Sequence, residues 1–137
     1  MAEKLKIVKI IHLAICAGVI FAYILLSDLS VLADLKFPVI DASSYIYLMI
    51  PVIAILASNY LYKSQIKKVD SNLKLEDKIP FYQIATIMRL ALLEGAAFLI
   101  LFVKPDFIVF GILIILYIIF IRPTENQFRR DFENPRL

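Results

Sequence analysis

Few of the residues from which active sites are commonly built occur in this chain. Its 137 residues include three glycines, one cysteine, one histidine and no tryptophan. A single cysteine, Cys16, rules out a disulfide framework and a Cys-x-x-Cys pair, and leaves a small packing residue as its role. A single histidine rules out a His-Glu-x-x-His zinc helix, and three scattered glycines rule out a glycine-rich phosphate loop. No serine stands beside a base in a recognisable nucleophile motif. These absences argue against an enzyme and against a bound metal or cofactor. No linker or low-complexity stretch divides the sequence either, so residues 1–137 read as one domain.

What the chain does have is apolar length. Hydrophobic residues make up 61% of it, and they come in blocks. Crossing a bilayer takes roughly 20 apolar residues of helix, since each adds about 1.5 Å across a core about 30 Å thick. The blocks that approach this length are residues 7–26, 44–62, 81–103 and 107–121. Helix is the natural choice because hydrocarbon offers the backbone no hydrogen-bond partner. The last block is short, and Lys104 and Arg122 at its ends have stems long enough to reach both interfaces.

The net charge of +3 follows topology rather than a nucleic-acid partner. Lys4, Lys6 and Lys9 precede the first block. Lys63, Lys67, Lys68, Lys74 and Lys78 separate the second and third, and Arg122, Arg129, Arg130 and Arg136 follow the fourth. The other two connections carry only Lys36 and Lys104. Positive charge collects on the cytoplasmic side, so both termini are expected there. The predicted fold is an all-α, four-transmembrane-helix bundle built from two antiparallel hairpins. An alternative for the first block, a signal peptide cut after Val31-Leu32-Ala33, is disfavoured because the apolar run is too long and the cut site too distant.

The connections differ. Lys104-Pro105-Asp106 permits only a tight hairpin, whereas Ser27 to Ser43 is long and carries Leu29, Leu32, Leu35 and Phe37, expected to lie on the outer surface. After the fourth block, Thr124 and Gln127 match a capping box. Phe128 and Phe132 then follow one turn apart beside Arg129 and Arg130, which predicts a short interfacial helix with its rings in the boundary and its arginines on phosphates. Tyr45 and Tyr47 at one end of the second block, and Tyr60 and Tyr62 at the other, predict an aromatic belt. Ser58 and Asn59 call for no special role, and Pro51 predicts a kink.

An internal echo is also present. Residues 10–21 align without gaps on residues 87–98, with Ile, Leu, Ala, Gly and Phe identical. More faintly, Ile55-Leu56 aligns on Ile115-Leu116, with Pro51 opposite Gly111. This suggests a parallel repeat of a helical hairpin. It also marks Ala14, Gly18, Ala91 and Gly95 as helix-packing positions, since small residues let backbones approach in lipid.

One polar residue demands an explanation. Glu94 lies near the middle of the third block, where an ionised carboxylate costs on the order of 3 kcal/mol. It needs a proton, a cation or a hydrogen-bonding neighbour. It is the candidate ion or proton site, with Tyr117 at a depth from which its hydroxyl reaches toward it. Arg89 is about 140° away around the same helix. With His12, Arg129 and Arg130 it forms a set of candidate lipid-headgroup ligands at the inner interface.

The run Ala91-Leu92-Leu93-Glu94-Gly95-Ala96-Ala97-Phe98 resembles the carboxylate helix of rotary ATP synthase c-subunits. That resemblance implies an ion-carrying glutamate on a helix leaving a cytoplasmic loop. The rest departs from the family: the second block lacks its glycines, the inner loop lacks Arg-Gln-Pro, and Arg89 is foreign to it. The chain as a whole resembles a set of small four-helix inner-membrane proteins of Bacteroidota-type bacteria. Arg89 to Gly95 and Arg122-Pro123-Thr124 carry that likeness. It implies residence in the inner membrane and supplies no activity. The expected partners are the lipid bilayer and either further copies of the chain or other membrane subunits. The expected function is non-enzymatic, as an oligomeric or accessory membrane component. The alternative is a small proton- or cation-coupled transporter component using Glu94.

Overall fold

The computed structural model describes residues 2–27 and 40–133, and these are helical with no strand among them. The helices are α1 (Ala2–Leu26), α2 (Tyr45–Lys67), α3 (Ile79–Val103), α4 (Ile108–Phe120) and α5 (Glu125–Glu133). Short 3₁₀ turns, Leu75–Lys78 and Pro105–Phe107, lead into α3 and α4. The residues expected on the outer surface (Leu29, Leu32, Leu35, Phe37), together with Lys36, the alternative cleavage site and Arg136, lie outside the described residues.

Three helices, α1, α2 and α3 with its leading turn, are long and apolar enough to cross a membrane. α4 alone falls short of that length and reaches it only when counted with α5, from which it is bent by 83°. The 13 residues of α4 reach about 20 Å, well under a hydrocarbon core of about 30 Å. Both α1 and α2 run a turn or more beyond the apolar blocks into lysine-bearing sequence. Their backbone bonds continue where only side chains need water.

The centre of the bundle is α3. It packs against α2 most extensively, then α4, then α1. The sequence predicts two hairpins, and only the second, α3 with α4, is formed. α1 and α2 instead flank α3 and do not pack on each other to a comparable extent. The physical reason is connection length. Lys104 joins α3 directly to a turn that leaves no choice of neighbour, whereas the connection after α1 is long enough for α2 to land elsewhere.

Within the internal echo only Cys16 and Leu93 are buried on both helices, and none of its five identical pairs is. The same offset carried beyond the echo pairs Leu5 with Tyr82, Val8 with Ala85 and Tyr23 with Ile100, each of them buried. As the central helix, α3 buries a second set as well: Thr86, Leu90, Ala97 and Leu101. The core falls into two parts. One, around Val19, Leu93, Ile114 and Ile118, fills the middle of the bundle. The other gathers Leu5, Val8, Tyr62, Ile66, Ile79 and Tyr82 around Phe128 and Phe132 at the end where α5 docks.

This second cluster corrects the interfacial reading of α5. Phe128 is fully buried and Phe132 nearly so, with Tyr82 ring centroids 5.0 and 6.0 Å away. The aromatic face closes the bundle instead of facing outward, because α1, α2 and α3 present apolar side chains at that end, Leu5, Val8, Tyr62, Ile66 and Ile79 among them. The capping box is half formed. Thr124 Oγ1 accepts from the Gln127 amide at 3.1 Å, while the Gln127 side chain accepts from the Tyr82 hydroxyl at 3.1 Å. The aromatic belt is likewise half formed. Tyr45 and Tyr60 face outward, Tyr47 stacks on Phe107, and Tyr62 is buried.

Candidate functional site

Glu94 sits on the flank of α3, about 100° from Leu93, which is fully buried in the central core. The carboxylate is half-buried and makes no hydrogen bond or ion pair within the described residues. Tyr117 does not reach it. The Tyr117 hydroxyl is paired with Asn59, whose amide nitrogen and oxygen lie 2.9 and 3.2 Å away, and it accepts a long bond of 3.5 Å from Arg89. The two residues brought together as an ion site are therefore apart, and Asn59 has a structural task after all.

The four small residues of the echo are exposed rather than buried between helices. Ala14 and Gly18 are exposed on α1, as are Ala91 and Gly95 on α3. A Cβ at Gly18 or Gly95 would meet no atom within 4 Å. Next to Gly95 runs an apolar groove of about 400 Å³ between α2 and α3, walled by Ala54, Ala57, Ala91 and Ala96. The glycine that does permit a close approach is Gly111 on α4. The Tyr23 hydroxyl lies where its Cβ would be.

The headgroup candidates separate in the same way. His12 is buried, and its Nε2 donates to the Ile118 carbonyl at 2.7 Å. That carbonyl belongs to the last turn of α4, which has no helical partner of its own, so His12 fastens α1 to α4. Cys16 packs beside the ring with its Sγ 3.5 Å from Nε2. Arg129 is taken up by Glu125 one turn earlier, at 3.0 Å. Arg89 and Arg130, by contrast, open onto one recess beside the end of α4.

Around Arg89 lies a polar network that the sequence did not reveal. Its guanidinium stacks over the Tyr62 ring at 4.8 Å. Tyr62 donates to Asp131 of α5 at 2.6 Å, and Asp131 is 5% exposed. Such residues are spread over three helices, and no local spacing connects them. The nearest signal was the amphipathic pattern of residues 125–133, which puts Asp131 beside Phe128 and Phe132 on one face. Among the described residues no group of His, Cys, Asp and Glu has the makings of a metal site.

No known protein family, curated protein or solved structure matches this chain.

Proposed function

We propose that the chain is an integral protein of a bacterial inner membrane. It crosses four times with both termini in the cytoplasm, and acts without catalysis by packing against other membrane helices, as a homo-oligomer or an accessory subunit. The observation that carries this reading is the outward direction of the small residues. Ala14 and Gly18 on α1, and Ala91 and Gly95 on α3, are exposed with open space above both glycines. Small residues in lipid serve close backbone approach, and here that approach is left to helices of another chain. The unpartnered Glu94 fits the same picture, since a half-buried carboxyl on an apolar helix gains most from a donor across an interface.

The test is co-purification of a tagged chain from its own membranes in mild detergent. With Gly95→Leu the monomer retains its helical content and loses its companion, whether a second copy or another subunit. Undiminished co-purification contradicts the reading.

A second reading is kept for Glu94 as the protonatable group of a proton- or cation-coupled transporter component, because its carboxylate has no partner among the described residues. Purified protein in liposomes decides it. pH-dependent transport that survives Glu94→Gln removes the carboxylate from the mechanism.

A further inference from the structure

The shortness of α4 has a chemical consequence. The helix ends at Phe120, and Pro123 starts the turn into α5 before a full span is complete. Beside this end lies a recess of about 410 Å³. Arg89 of α3, Arg122 of the turn and Arg130 of α5 line it, with Tyr117, Thr124 and Gln127, and no carboxylate is among its walls. The nearby acids are already engaged. Glu125 holds Arg129 at 3.0 Å, and Asp131 accepts from Tyr62 while lying 3.7 Å from Arg130. The Arg89 Nε is buried with no hydrogen-bond partner, and neither Arg89 nor Arg122 makes an ion pair among the described residues. A buried guanidinium nitrogen without a hydrogen-bond partner is costly. Arg89 supplies that nitrogen, and the more exposed Arg122 and Arg130 converge with it from two further elements. Three guanidinium groups so placed match the planar, multidentate recognition of an oxyanion.

A second cavity continues from the same wall. It holds about 680 Å³ between α1 and α4, and Arg122 and Thr124 line it as well as the recess. Its sides are Leu13, Ala17, Ile20 and Ile119, and Lys9 stands at its mouth. A cationic, hydrogen-bonding recess that shares Arg122 and Thr124 with an apolar groove along two helices has the two-part chemistry of an amphiphile.

We propose that the recess binds the phosphate group of an anionic phospholipid, with one acyl chain lying in the α1/α4 groove. The wall that groove and recess share favours a lipid over free phosphate, which would leave the groove unused. The inference rests on the chain residing in a membrane. It does not depend on which side α5 faces or on the packing role of the glycines.

The test is native mass spectrometry of the whole purified protein, titrated with phosphatidylglycerol or with phosphatidylcholine of the same acyl chains. The wild type is expected to retain one phosphatidylglycerol in preference to phosphatidylcholine. Arg122→Gln, an exposed position whose loss leaves the core intact, is expected to weaken that retention about tenfold, as befits one charge-assisted contact. Adding Arg89→Gln is expected to abolish the preference. Equal retention of the two lipids by the wild type, or an unchanged preference in Arg122→Gln, overturns the proposal. So does complete displacement of the lipid by millimolar inorganic phosphate, which assigns the recess to a soluble anion. A chain absent from the membrane fraction defeats the membrane reading beforehand, so the two failures are distinguishable.

Discussion

The phenol of Tyr23 fills the space that a side chain on Gly111 would need, and its hydroxyl donates to the Ala97 carbonyl at 2.5 Å. One contact thus ties α1, α3 and α4 together in the middle of the bundle. Gly111→Ala forces Tyr23 aside and is expected to destabilise the fold by about 1–3 kcal/mol, the usual cost of overpacking. Tyr23→Phe removes the hydroxyl that collides. The double variant is therefore expected to lose less than the sum of the two single changes, measured as a double-mutant cycle of unfolding in detergent. Strict additivity would contradict the contact.

Gly95 provides the opposite case. With nothing within 4 Å of its Cβ position, Gly95→Leu is expected to leave the isolated chain as stable as before. A gain of up to about 1 kcal/mol is expected from helix propensity. Thermal unfolding of the monomer checks this. A marked loss would place Gly95 in an internal contact that the fold lacks.

The docking of α5 depends on Asp131 as well as on its phenylalanines. Asp131→Ala leaves the buried Tyr62 hydroxyl without its acceptor, and an unsatisfied buried group costs about 1–3 kcal/mol. α5 is expected to detach before α1 to α4 unfold. Limited trypsin digestion at Arg129 and Arg130 should then proceed faster than in the wild type, with α1 to α4 intact. An unchanged digestion rate would show that the rings alone hold α5.

Asp41 has a pH signature. The Ser43 hydroxyl at 2.6 Å, then the Ser44 hydroxyl at 2.9 Å, and both backbone amides at 3.1 Å donate to its carboxylate. These bonds hold its titration below the ordinary aspartate range. Because the folded value is the lower one, whatever Asp41 contributes at the entrance to α2 is present above the ordinary range. It is lost as pH falls through the lowered value. An NMR titration of the Asp41 carboxyl is expected to move up toward the free aspartate value in Ser43→Ala. No movement would mean that the hydroxyl is not the main cause.

The helices were legible in the sequence because apolar length and lysine placement are properties of segments. Residues 7–26, 44–62 and 81–103 lie almost wholly within α1, α2 and α3. The arrangement of those helices was not legible, since lipid-facing and core-facing residues have the same apolar chemistry in a membrane chain. For that reason Gly18 and Gly95 looked like contacts and face outward, while Gly111 looked incidental and is the crowded one. Phe128 and Phe132 carried the right pattern for an amphipathic helix, but a pattern does not say whether its apolar face meets lipid or protein. The Tyr62–Asp131 and Tyr117–Asn59 pairs join residues far apart in sequence. Only the packing of α3 between its neighbours puts them together.

The most direct measurement concerns α4, whose crossing the whole membrane arrangement requires. Paired reporters, one active only in the cytoplasm and one only outside it, are fused before Met1, within the Lys63 to Lys78 connection, after Lys104 and after Leu137. Four crossings are expected to give cytoplasmic activity at both termini and at the Lys63 to Lys78 connection, with external activity after Lys104 alone. External activity after Leu137 would mean that α4 turns back without crossing, and would contradict a four-span chain with both ends inside.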